Sequence, residues 1–125
     1  MNHQILICDD NDSDVYILLA SLKTAGLLFD SIRARDGEET LGFLTSSARF
    51  DLVILDLRLP CLSGLDVLQN LEERNLIPAC PIVVLTSRVG REREILSRFP
   101  TTTIWEKPLN LDGYTEVANS IAKLL

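Results

Sequence analysis

A chain of 125 residues with a formal net charge of −6 is long enough for one sizeable core and too acidic for nucleic acid as a direct partner. Hydrophobic residues at 46% and charged residues at 24% match an ordinary globular protein. Three cysteines (Cys8, Cys61 and Cys80) without metal-ligand spacing point to reduced thiols. Met1-Asn2-His3-Gln4 has no basic leader region, and no apolar run approaches membrane-spanning length. These features lead us to expect a cytoplasmic protein with no membrane partner and one domain over residues 1–125.

Taken in order, Ile5-Leu6-Ile7-Cys8 reads as a short buried strand that stops on Asp9-Asp10. Asp12 is expected to cap a helix from Ser13 to about Ala25, with Val15, Leu18, Leu19 and Leu22 on one face and Gly26 closing it. Ser31–Ala34 is a weaker strand, polar enough for a sheet edge. Asp36-Gly37 then turns the chain into a helix over 38–46, with Leu41 and Leu44 inward.

The stretch from Leu52 to Gly64 organises the rest. Leu52-Val53-Ile54-Leu55 reads as a buried strand ending on a carboxylate, Asp56, with Pro60 and Gly64 breaking the structure beyond it. A helix over 64–74 follows, then Pro78 and Pro81 around a loop, and a strand Ile82–Leu85 ending on Thr86-Ser87. A charged helix over 91–99 keeps only Ile95, Leu96 and Phe99 inward and stops at Pro100. Thr103-Ile104-Trp105 is a short last strand before Glu106-Lys107-Pro108. In the final helix, over 112–124, Tyr114, Val117, Ala118 and Ile121 recur at helical spacing. Five strands alternating with five helices call for an α/β fold, a parallel sheet with helices on both faces.

In such a sheet all strand ends share one edge, where ligands bind. Four of the five strands end on Asp9-Asp10, Asp56, Thr86 and Lys107. Crowded carboxylates stay ionised beside a cation, and a hard oxygen set of this kind favours Mg²⁺. Lys107 brings a point charge suited to a phosphoryl oxygen, and Thr86 a hydroxyl donor. The set is equipped to take a phosphoryl group on Asp56.

These residues, in this order and spacing, resemble the receiver domain of two-component response regulators, over essentially the whole chain. The resemblance implies the flavodoxin-like (βα)5 fold, with a five-stranded parallel sheet of order 2-1-3-4-5. It implies Asp56 as phosphoacceptor, charged by a sensor histidine kinase or phosphotransfer protein, with Thr86 and Lys107 on the phosphoryl oxygens. Asp10 and Asp56 would hold Mg²⁺ directly, Asp9 through water, and the backbone carbonyl of Arg58 would add a ligand. Arg58 and Arg88 would border the pocket as tuning positions for phosphate lifetime. An output protein is expected on the face of the fourth helix, fifth strand and fifth helix, and a homodimer stays open. The chain looks like a stand-alone, chemotaxis-type regulator and not a classical enzyme. Two departures stand out. Ile104 occupies the place of the family's switch aromatic, with Trp105 expected to face the other way. Phe99-Pro100-Thr101-Thr102 replaces the small residues usual before the last strand.

Two rivals are weighed. A haloacid-dehalogenase-type phosphatase wants a second aspartate two residues after the first, where Arg58 stands. A phosphorylation-independent interaction module would keep the fold without the chemistry.

Overall fold

A computed structural model describes residues 2–99 and 101–125. Ten elements alternate: β1 (His3–Cys8), α1 (Asp12–Thr24), β2 (Phe29–Ala34), α2 (Gly37–Leu44), β3 (Leu52–Leu55), α3 (Gly64–Glu73), β4 (Ile82–Thr86), α4 (Glu92–Leu96), β5 (Thr102–Glu106) and α5 (Leu111–Leu124). The strands form one sheet in the order β2-β1-β3-β4-β5, and every pairing is parallel. This is the expected flavodoxin-like receiver fold. β2 lies at an edge, as its polar residues suggested.

Alternation along the buried strands sends side chains to two cores. Ile5, Ile7, Ile54, Val83 and Leu85 pack with α1 and α5 through Val15, Leu18, Leu22, Tyr114, Ala118 and Ile121. Leu6, Cys8, Val53, Leu55 and Val84 point the other way, onto α3, α4 and the turn after it through Leu68, Leu96 and Phe99. Each fully buried leucine or isoleucine contributes about 1.5–3 kcal/mol over its exposed state. Trp105 packs on the α1/α5 side and Ile104 on the α4 side, as strand alternation requires.

Several boundaries differ from expectation. Asn11, not Asp12, caps α1, its side chain accepting from the Asp14 N–H at 3.0 Å, while Asp12 is the first helical residue. Gly26 ends α1 at φ +85°, with the Leu27 N–H donating to Leu22 O and the Gly26 N–H to Lys23 O, a Schellman closure. α2 stops at Leu44, two residues short of Ser46. Its fully buried side chain is Thr40, whose hydroxyl donates to Asp36 O, while Leu41 is only half-buried. α4 spans five residues instead of nine, without a side-chain cap. The nine residues expected to be helical carry only Ile95, Leu96 and Phe99 as apolar anchors, too few to hold a longer helix against solvent. Pro100, expected to end this helix, lies outside the described residues.

Candidate functional site

The sheet order reverses direction between β1 and β3, so the crevice at their carboxyl ends is a topological switch point. Asp9 and Asp10 leave β1 there, and Asp56 leaves β3 directly beside them, its N–H donating to Cys8 O at 2.9 Å. Asp56 is 4% exposed and Asp9 7%, whereas Asp10 is open to solvent. One carboxylate oxygen from each of the three lies within 4.8 Å of the others. Behind Asp56 the chain turns back so closely that a Cβ on Gly64 would sit 2.6 Å from Asp56 O and 2.9 Å from Leu57 Cα. Glycine is therefore required at the start of α3, where Ser63 and Asp66 form a capping box.

Two further elements close on Asp56. Thr86, at the end of β4 and fully buried, donates its hydroxyl to Asp56 Oδ1 at 2.8 Å. The Arg58 N–H donates to the same oxygen at 2.9 Å. Lys107, just past β5, places Nζ 2.8 Å from Asp56 Oδ2, 2.9 Å from Asp9 Oδ2 and 2.8 Å from Asp14 Oδ2. An ammonium has three donors, and three carboxylates take them.

Burial holds the Asp9 carboxyl above the usual carboxylate range, against the opposing pull of the Asn11 N–H and Lys107. For Lys107 burial works against the charge, but the hydrogen bonds it donates to Asp14, Asp56 and Asp9 outweigh it, so its pKa is raised and the ammonium persists. Three clustered carboxylates with one exposed member suit a hard divalent cation, which wants few protein oxygens and keeps several waters. The donor set fits Mg²⁺, and exposed Asp10 marks its open side.

The structure thus brings together Asp9, Asp10, Asp56, Thr86 and Lys107, all named from the sequence. It directs the Arg58 side chain elsewhere, its Nη1 lying 3.1 Å from Glu92 Oε1 of α4. Arg88 is exposed. Sequence reasoning missed Asp14 and Tyr114. Asp14 is the third residue of α1, and its Oδ1 faces the Tyr114 hydroxyl of α5 at 3.5 Å. The available signal was its place four residues after Asp10 and next to buried Val15, at the helix end nearest the strand tips. Missed too was Arg33 of β2, whose Nε donates to Asp9 O at 3.1 Å and whose Nη1 pairs with Asp12 at 2.7 Å. Cys61 is exposed and its surroundings disfavour the thiolate. Desolvation and the charges of Asp36, Glu38 and Glu39 push its thiol up.

The family model described as response regulator receiver domain matches residues 5–112. The chain belongs to the response regulator receiver domain family. This receiver is 39% identical over 88 residues to the alkaline phosphatase synthesis transcriptional regulatory protein PhoP of Bacillus subtilis, covering 70% of this chain and 35% of that protein. It is 31% identical over 99 residues to response regulator Rcp1 of Synechocystis, covering 74% and 67%. With the polar-differentiation response regulator DivK of Brucella anthropi it shares 25% identity over 121 residues, covering 96% of each chain. The receiver spans about a third of the first curated relatives it matches, 35% in each case.

Among solved structures, the Mn²⁺-bound form of response regulator Rcp1 superposes with a TM-score of 0.77 at 26% identity, over 97% of this chain and 92% of that one. The phosphorylated cyanobacterial phytochrome response regulator RcpA gives 0.81 over 98% and 93%; at 22% identity it speaks for the fold. Receiver domains are signalling modules that take phosphoryl groups from histidine kinases or phosphotransfer proteins and bind a divalent cation in an acidic pocket. Among the described residues no helix is long and apolar enough to cross a membrane.

Proposed function

We propose that this receiver accepts a phosphoryl group on Asp56 from the phosphohistidine of a sensor kinase or phosphotransfer protein, with Mg²⁺, and signals through a change in its protein-binding face. The observation that carries this reading is the clamp on Asp56. Thr86 Oγ1 and Lys107 Nζ each lie 2.8 Å from a different oxygen of one buried carboxylate.

In the transfer, an Asp56 oxygen forms the O–P bond as the donor's N–P bond breaks, and the imidazole leaves with the electron pair. Thr86 and Lys107 then turn from the carboxylate to the phosphoryl oxygens and stabilise the charge there. Asp10 and Asp56 would hold the cation directly and Asp9 through water, with the Arg58 carbonyl as a further ligand. When bound, Mg²⁺ neutralises charge between carboxylate and incoming phosphoryl group. The turn of Thr86 and Lys107 would pull on the ends of β4 and β5, and so on the surface of α4, β5 and α5. An output protein would read that surface. The work is self-directed, so the domain is a phosphoacceptor and not an enzyme acting on a separate substrate.

The interaction-module reading draws on Ile104, which packs with Leu96 and Phe99 where a switch aromatic is usual. Incubation with acetyl phosphate or phosphoramidate and Mg²⁺, read by mass spectrometry, separates the two. A single phosphoryl adduct that is lost in Asp56→Asn is expected. No adduct in the parent protein leaves only the interaction module.

A further inference from the structure

We propose that Asp14 is a positioning residue for Lys107, a carboxylate outside the metal cluster that holds the ammonium in the pocket while a divalent cation occupies Asp9 and Asp56. This inference rests on the Mg²⁺ site proposed above and goes beyond it.

The geometry of the pocket sets lysine and metal in conflict. Lys107 Nζ lies 2.9 Å from Asp9 Oδ2 and 2.8 Å from Asp56 Oδ2, the two buried members of the acidic cluster. A divalent cation in that cluster draws on the same carboxylates and repels the ammonium. With a cation present, the attraction of Asp9 and Asp56 for Lys107 is largely spent. Without a further anion, lysine and metal would exclude one another in a pocket that needs both.

Asp14 resolves the conflict. Its Oδ2 holds Nζ at 2.8 Å, as short as the bond from Asp56. It is not among the carboxylates that can share a cation, so its charge remains for the ammonium. Its placement is also defined by structure. It sits in the first turn of α1, behind the Asn11 cap whose side chain binds its own N–H, with the Tyr114 hydroxyl of α5 facing its second oxygen. The side chain is 28% exposed, against 75% for Asp12 two residues earlier, so it faces inward where a merely solvated first-turn acid would not. Bonded to Asp14, the ammonium can shift away from the metal ligands without leaving the pocket.

The consequence is a coupling between residue 14 and metal affinity that runs through residue 107. Removing the Asp14 charge leaves Lys107 dependent on Asp9 and Asp56, and it then competes with the cation. A simple long-range effect of one lost negative charge would weaken the cation equally whether or not the lysine is present. A double-mutant cycle distinguishes the two.

The experiment is calorimetric titration of Mg²⁺ into the parent protein, Asp14→Asn, Lys107→Ala and the double variant, with thermal unfolding to establish that each is folded. Asp14→Asn is expected to weaken Mg²⁺ about tenfold in the parent background and about twofold or less in the Lys107→Ala background. Asp14→Glu, which restores the charge, is expected to return affinity to within about twofold of the parent. Equal losses in both backgrounds, or none in Asp14→Asn, overturn the positioning role while leaving the metal site standing. A parent protein that binds no Mg²⁺ overturns the metal site and this inference with it.

Discussion

Glu92 on α4 reaches Arg58, two residues past Asp56, at 3.1 Å, while its other oxygen accepts the Gly90 N–H at 3.1 Å. The loop after β3 and the start of α4 are thereby joined across the mouth of the site. The pair is partly exposed, so its stabilising worth is small. Its effect is on where the guanidinium lies. Held by Glu92, Arg58 leans towards α4; released, it can fork onto phosphoryl oxygens and screen them from water.

The first prediction concerns phosphate lifetime. Arg58→Ala is expected to speed loss of the phosphoryl group by up to about tenfold, and Glu92→Gln to slow it, because it frees the arginine. Decay measured after removal of the phosphodonor decides it, with Arg88→Ala, two residues past Thr86, as the companion variant. Rates equal to the parent in all three would mean that neither arginine governs access of water to the phosphoryl group.

Asp10 is exposed, and it adds charge to a cluster that already holds Asp9 and Asp56. Asp10→Asn should relieve repulsion and remove a ligand at once. We expect the metal-free variant to melt at or slightly above the parent temperature, and its Mg²⁺ affinity to fall at least about tenfold. Calorimetry with and without Mg²⁺ tests both halves. An unchanged Mg²⁺ affinity would remove Asp10 from the site.

Gly64 faces the backbone carbonyl of Asp56. In Gly64→Ala the new methyl meets backbone atoms at 2.6 and 2.9 Å, which cannot move without shifting Asp56. A loss of about 1–3 kcal/mol in urea unfolding is expected, with slower uptake of phosphoryl groups from acetyl phosphate. Full stability in this variant would show that the loop after β3 relaxes freely.

Tyr114 carries a pH signature. Burial, then the charge of Asp14, pushes its phenol up to about 12, above the usual tyrosine value. The fold therefore favours the neutral phenol. That contribution is complete below the unfolded value of about 10 and is lost as pH rises towards the folded value. Tyr114→Phe should flatten this alkaline limb, with urea midpoints at about pH 9 and about pH 11 closer together than in the parent. An identical spread would place the alkaline sensitivity elsewhere.

Much of this architecture was legible because the strongest signals are physical necessities. β3 falls on Leu52–Leu55, since a fully apolar run bounded by Asp51 and Asp56 has no other edges. The strand-end residues converge because a parallel sheet leaves them no alternative. The helix starts were harder. Asn11, Asp12 and Ser13 are all competent caps, and only the backbone chooses among them. Leu41 looked like core by its chemistry, yet Thr40 takes the buried place because its hydroxyl finds Asp36 O. Asp14 escaped notice because an acid in the first turn of a helix is already explained by the helix dipole. Its bond to Lys107 spans 93 residues and leaves no local trace.

That same lysine makes the pocket a record of completed folding. Its bonds to Asp14 and Asp56 cross 93 and 51 positions of the chain, so the site is assembled from contacts that are costly to close and late to form. Before residues 102–107 dock beside β4, Asp9 and Asp56 face one another without the ammonium between them. Partly folded species lacking the fifth strand would bear that repulsion, and docking of the strand would relieve it. In stopped-flow refolding followed by Trp105 fluorescence, Asp9→Asn should therefore narrow the gap between parent and Lys107→Ala folding rates; an unchanged gap would discount the repulsion. A chain caught short of its last strand would hold the acidic residues without the lysine that completes the pocket.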